Sequence, residues 1–327
     1  MRARDGSSLL HTADRRLDRT RMSMRALVVL RTFKGAARAW WDDDCTRLGA
    51  SLAYYTLFAI APILLVATAI AGMVFGHDAV RSEIVSQLDH LVGREGALAV
   101  QGLLEAAAQR PSGVVATLIG GITFLIASTG AFLELQVAFN TIWRVKPRPT
   151  GHLYAFVMDR VRSFGLVVAI GFLLLVSLTV TAGLAALNAW LFGVSPTDAY
   201  LWTIVNTLVS IVVTTGLFAL LLRFLPDVGL RWRDVMTGAV VTAVLFTIGQ
   251  QVIGLYLGQS RIASSYGAAG SMMILLLWVY YSCQILLFGA EFTRVWAARH
   301  GVKVKPEEFA VKDPEAVQPK SALTAVK

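Results

Sequence analysis

Two carboxylates stand inside long apolar runs of this chain, Glu134 within 114–142 and Glu291 near the end of 267–292. A carboxylate at bilayer depth costs about 2.5–3.5 kcal/mol on insertion scales, and such groups mark ion or substrate paths. Gln136 and Asn140 follow Glu134 closely, and its run holds no Lys or Arg. Glu134 therefore reads as a proton or cation site, as a contact to a polar substrate group, or as a hydrogen bond to another helix. Glu291 precedes Arg294 by three residues. That spacing shares a helix face, so an ion pair at the membrane interface competes with a functional role. Neutral polar groups at depth include Tyr54, Tyr55, Asn206, Thr207, Gln250, Gln251, Ser282 and Gln284. They line a path or bond neighbouring helices, each such bond being worth ~0.6 kcal/mol in a bundle.

Enzyme chemistry finds little footing. Gly120-Gly121 and Gly267-Ala-Ala-Gly270 are not followed by Lys-Ser/Thr and match no phosphate-binding loop. No Ser-His-Asp set is recognisable at membrane depth. The two Cys (45 and 283) and five His (11, 77, 90, 152 and 300) show no metal-ligand spacing, so no catalytic residue, metal or cofactor is expected. The cysteines fall in different places, one of them on the reducing side, so no disulfide is expected either. Asp42-Asp-Asp44 could hold a cation, but carboxylates also favour the start of the helix that follows.

The elements that must position these groups follow from hydropathy. Six apolar runs reach spanning length, at about 48–75, 114–142, 161–190, 201–222, 235–257 and 267–292. Segments 1–47, 143–162, 223–234 and 294–327 hold 26 of the 30 Lys and Arg, against 4 in 76–112, 192–200 and 258–266. Positive charge on alternate segments is the positive-inside pattern, so both termini are expected in the cytoplasm. The expected fold is all-α: a polytopic membrane protein with six transmembrane helices over 48–294, plus amphipathic helices. The net charge of +9 then sits where anionic lipid headgroups are, which disfavours nucleic acid as the partner.

Residues 1–21 read as a basic disordered arm, and Met22 or Met24 could equally be the start. The nearest apolar stretch, 26–30, is too short for a secretory signal. Residues 22–47 mix Leu27, Leu30, Phe33, Trp40 and Trp41 with Arg31, Lys34 and Arg38, as an interfacial amphipathic helix does. Pro62 is expected to kink the first span. Residues 77–112 read as an outer insertion of amphipathic helices, and 295–327 as a cytoplasmic tail, mostly disordered.

Three stretches carry a resemblance: Leu48-Gly-Ala-Ser-Leu-Ala-Tyr-Tyr-Thr-Leu-Phe-Ala-Ile-Ala-Pro62, Leu135-Gln-Val-Ala-Phe-Asn-Thr-Ile-Trp143, and Leu277-Trp-Val-Tyr-Tyr-Ser282 with Leu287-Phe-Gly-Ala-Glu-Phe292. Together, in order over roughly 25–300, they resemble the YihY/BrkB family of bacterial inner-membrane proteins. The resemblance implies six spans with cytoplasmic ends, and a transport role for envelope or lipid-linked material. The family's older ribonuclease label finds no catalytic cluster here. Glu291 stands in the family's Gly-Ala-Glu ending, whereas Glu134 departs from its pattern by about one turn. Two readings stay open. One is a transporter or flippase-like protein. The other is a non-transporting structural or interaction protein that uses 77–112 and the basic flank. A homo-oligomer is compatible with either.

Overall fold

The computed structural model describes residues 27–75, 97–98, 100–102, 105, 130–147, 196–259, 270–302, 305–306 and 310–313. For 61–75, 196–204 and 254–259, and at 147, 206 and 271, it describes backbone alone. The elements are α1 (27–42), α2 (Cys45–Phe75), α3 (130–143), β1 (Val145–Pro147), α4 (Pro196–Phe224), α5 (Trp232–Gln259), α6 (Gly270–Arg299) and β2 (Ala310–Lys312). Among the described residues, three helices are long and apolar enough to cross a membrane, with windows at Thr207–Phe224, Trp232–Ile253 and Met272–Arg299. The run expected at 161–190 lies outside the described residues, as does most of 77–112.

Hydroxyls inside these helices are satisfied locally. Thr242 and Thr293 each donate to the carbonyl four residues back at 2.7 Å, and Thr247 and Ser282 do so at 2.9 Å. This lets an apolar helix carry them at depth without a partner on another helix. On α5 an exposed stripe recurs every fourth residue: Trp232, Met236, Val240, Val244, Ile248 and Val252. Val235, Ala239 and Ala243 face the core instead. An apolar exterior around a small-residue interior suits a helix with lipid on one side.

Helices α5 and α6 interlock through paired Gly and Thr. A Cβ on Gly238 would overlap Thr293 Oγ1 and lie 2.9 Å from its Cβ. Reciprocally, a Cβ on Gly289 would overlap Thr242 Oγ1 and lie 2.9 Å from its Cβ. Both threonines are buried. On each helix the hydroxyl bonds the carbonyl of the glycine four residues before it. The same four-residue spacing therefore meets itself antiparallel, and only glycine permits this approach.

The largest core cluster joins Cys45 and Leu48 of α2, Phe139 and Ile142 of α3, Leu222 of α4, Leu225 and Val228 of the following loop, Val235 of α5 and Ala297 of α6. These residues lie at one end of every helix, where Arg144, Arg223, Arg231, Arg294 and Arg299 also gather. We call this the basic end. There, α1 packs on the last turns of α6. Phe33 meets Phe288 and Phe292 at 5.9 and 5.0 Å, and Arg299 donates to the Arg31 carbonyl at 2.8 Å. Leu30 and Trp41 of α1 remain exposed at 66% and 72%.

Helix α6 stops at Gly301, whose φ of 70° is left-handed. Gly301 N–H bonds the Ala298 carbonyl at 3.2 Å and Val302 N–H bonds that of Ala297 at 3.1 Å, the paired bonds of a Schellman cap. The chain then runs across the basic end. Gly229 donates to the Lys305 carbonyl at 3.1 Å, and Val228 pairs with Pro306. β2 pairs antiparallel with β1, in the register Val145↔Lys312 and Pro147↔Ala310. Asp313 N–H bonds the Arg144 carbonyl at 3.0 Å, and its carboxylate meets Lys146 at 3.1 Å.

One expectation is corrected by this: the all-α fold acquires a two-stranded sheet. In the tail, the described residues 305–306 and 310–313 form a strap on the basic end. Each strand is only three residues long, too short for an alternating pattern to announce it. Of the stretch read as an outer insertion, 97–98, 100–102 and 105 are described. Ala97 and Val100 are helical and buried, and Val100 packs with Ala53 of α2 and Leu275 and Val279 of α6.

Candidate functional site

Helices α2 and α3 meet along a seam that carries Glu134. Ser51 Oγ donates to Glu134 Oε1 at 2.5 Å. One turn farther along, a Cβ on Gly130 would lie 3.3 Å from the Tyr55 ring, so glycine lets that ring approach. The matched steps 51–134 and 55–130 define an antiparallel register. Glu134 is half-buried, while Tyr54 and Tyr55 are 57% and 40% exposed. The Tyr54 ring stands edge-on to Tyr55 at 5.7 Å and lies 4.8 Å from Phe58. Ten residues separate Glu134 from Arg144, which at helical rise places the carboxylate about 15 Å in from the basic end.

Gln136 and Asn140 do not join Glu134. Two and six residues along a helix are turns of about 200° and about 240°, so both side chains leave α3 on a different face from Glu134. They hold Asp227 in the loop between α4 and α5. Asn140 Nδ2 donates to Asp227 Oδ2 at 2.8 Å, and Gln136 Nε2 donates to Oδ1 at 3.2 Å. Asp227 N–H returns a bond to Asn140 Oδ1 at 3.0 Å. Asp227 is thus clamped to α3 by side chain and backbone together.

At the basic end a charged network ties together the α1–α2 corner, the α3–β1 corner and α6. Glu291 is fully buried. Arg294 donates to Glu291 Oε2 from Nε at 2.9 Å and from Nη2 at 2.7 Å. The same Nη2 reaches Asp43 Oδ2 at 3.1 Å, and Arg144 Nη2 lies 3.4 Å from Asp43 Oδ1. Asp43 sits at the corner between α1 and α2, and Arg144 between α3 and β1. Next to Asp43, Asp44 has a φ of 51°, and Arg144 itself has one of 57°. Asp tolerates this left-handed region, but for Arg it costs about 1–2 kcal/mol. The strain therefore coincides with the network, whose contacts hold Arg144 in place. Deeper along α6, Gln284 Nε2 donates to the Thr46 carbonyl at 3.4 Å, over Gly49 of α2.

The remaining candidates stand apart. Gln250 is half-buried and Gln251 exposed on α5, and neither is bonded to either carboxylate. Pro62 lies within the single helix α2, and its side chain is outside the described residues. Among the described residues no three His, Cys, Asp or Glu side chains converge as a metal site requires. Sequence reasoning missed Ser51, Asp43, Arg144 and Asp227 as partners. The only signal for the last was its place after Pro226 at a helix end.

The virulence factor BrkB family model matches residues 36–313. Among curated relatives, a UPF0761 membrane protein of Verminephrobacter eiseniae is 31% identical over 258 residues, 77% of this chain and 58% of that protein. One of Rhodospirillum centenum is 29% identical over 283 residues, 83% of this chain and 59% of that protein. The chain thus spans less than two thirds of the length of these relatives. No solved structure matches. The matched stretch contains the α2–α3 seam, the Asp227 clamp and the basic-end network, and on its extent the chain belongs to the virulence factor BrkB family of membrane proteins.

Proposed function

We propose that this protein is a six-span transporter or flippase-like protein of the bacterial inner membrane, moving envelope or lipid-linked amphiphiles, with both termini in the cytoplasm. The observation that carries the reading is Glu134: a half-buried carboxylate, ~15 Å along α3 from the basic end, bonded across the seam by Ser51. A charge kept at that depth against an insertion cost of about 2.5–3.5 kcal/mol calls for a polar substrate or ion to justify it. The seam's exposed tyrosines give an amphiphile an aromatic surface beside that charge.

Topology supports six spans. Both α3 and α4 end at the basic end, and the 29 residues of α4 extend about 43 Å. Helix α4 therefore begins at the opposite face, which is what a span in the apolar run 161–190 requires. The basic end is then the cytoplasmic one by its arginines.

The test is transbilayer movement in vesicles of phosphatidylethanolamine and phosphatidylglycerol that hold the purified protein. A trace of tail-fluorescent phospholipid reports flipping by its quenching with dithionite. Faster quenching of the inner-leaflet fraction than in protein-free vesicles is expected, with slowing in Glu134→Gln. Equal rates with and without protein would overturn the transport reading and favour a structural role.

A further inference from the structure

We propose that the α2–α3 seam binds the ammonium group of a zwitterionic or cationic amphiphile, with Glu134 as its counter-ion and the tyrosine rings as its flank. This rests on the transport reading and names its substrate class. The first observation is a missing partner. No Lys, Arg or His occurs in 48–75, 113–142, 163–222, 235–257 or 262–293. Arg47 in the first turn of α2 is the nearest basic residue to Ser51 along that helix. Among the described residues, no basic side chain forms an ion pair with Glu134. Glu291 differs, because Arg294 lies one turn away and doubly bonds it.

The second observation is the state of the carboxylate itself. Ser51 occupies Oε1. Among the described residues, Oε2 takes no hydrogen bond, and the side chain is half-buried rather than sealed. One face of the carboxylate is thus fixed by the helix contact and the other is open to an incoming group. A hydroxyl donor to one oxygen fixes the carboxylate without neutralising it. An ammonium group from outside the chain can then approach the open oxygen and balance its charge.

The third observation is aromatic. Tyr55 shares a face of α2 with Ser51, one turn on, and its ring lies against Gly130. Tyr54 presents a largely exposed ring beside it, braced edge-on by Tyr55 and by Phe58. A carboxylate with adjoining tyrosine faces is the chemistry that recognises ammonium, which aromatic rings attract through their quadrupole. A phosphate or carboxylate headgroup without an ammonium would meet repulsion at the same place. The discrimination is therefore by charge sign.

The experiment compares two tail-fluorescent lipids, phosphatidylethanolamine and phosphatidylglycerol, in the reconstituted full-length protein. Ethanolamine lipid is expected to cross faster by about fivefold or more. Glu134→Gln should bring the two rates together. Tyr54→Leu, at an exposed position that keeps its apolar surface, should reduce the ratio by a smaller factor. Equal rates for the two lipids in the wild type would overturn the proposal while leaving transport standing. So would a preference unchanged in Glu134→Gln, since the carboxylate would then not be what selects the headgroup. Movement of neither lipid would overturn the transport reading, and this inference with it.

Discussion

At the scale of residues, the chain treats its two deep carboxylates in opposite ways. Glu291 is fully buried and shares Arg294 with Asp43, which also faces Arg144. Removing one partner of a buried pair leaves the other uncompensated. Arg294→Ala is accordingly expected to cost about 3–5 kcal/mol, read as a large drop in the thermal unfolding midpoint of the detergent-purified protein. Arg294→Lys should recover only part of this, because an ammonium cannot reproduce the double contact of the guanidinium. Asp227→Ala should cost about 1–3 kcal/mol, since it strands the buried Asn140 amide that now donates to it. The carboxylates themselves were legible from sequence, because charge inside an apolar run stands out. Their partners were not. Asp43 meets Arg294 across 251 positions and Gln136 meets Asp227 across 91, and nothing local marks either pairing. The split between Glu134 and Gln136 is a matter of helix phase, which the two-residue spacing does contain. It becomes informative only once the neighbouring helices are known.

At the scale of elements, small residues set how closely helices approach. The Gly238–Thr293 and Gly289–Thr242 contacts leave no room for a methyl group. Gly238→Ala is expected to push α5 from α6 and destabilise the protein by about 1–3 kcal/mol. Adding Thr293→Ala removes the hydroxyl and methyl that Gly238→Ala overlaps, leaving only the Cβ approach of 2.9 Å. The double variant should therefore melt above Gly238→Ala alone. If the two changes simply add, the interlock is not what limits the helix spacing. The helices were readable from apolar length, but this register was not, since both chains of contact run through Gly and Thr that look unremarkable in a row of apolar residues. The strap was hidden for a related reason. Its order comes from pairing with β1 and from the Lys146–Asp313 contact, whose partners lie far back in the chain. Asp313→Ala alone should change stability by less than about 1 kcal/mol, because the lysine of that pair is half exposed and its backbone bond to Arg144 survives.

At the scale of the whole molecule, one face collects the ends of α3, α4 and α6, the start of α2 and α5, the helix α1 and the strap. Its arginines would sit among headgroups, and the exposed Leu30 and Trp41 of α1 would face the same leaflet. If the positive-inside pattern governs insertion, this face is cytoplasmic, and the ends of α2 and α5 point away from it. A reporter that fluoresces only in the cytoplasm, fused after Asp313, should then be bright. Alkaline phosphatase, active only across the membrane, should be active when inserted at Pro196, where α4 begins, and inactive after Asp313. Activity after Asp313 would invert the molecule. The opposite pairing at Pro196 would break the return crossing between β1 and α4 and reduce the number of spans. The two fusions separate these failures because they probe opposite ends of a single helix bundle whose other contacts are already fixed. With the orientation known, the position of Glu134 also acquires a direction. It lies nearer the face that carries the arginines, so under the transport proposal an amphiphile entering from that face would reach the carboxylate within the first half of its crossing.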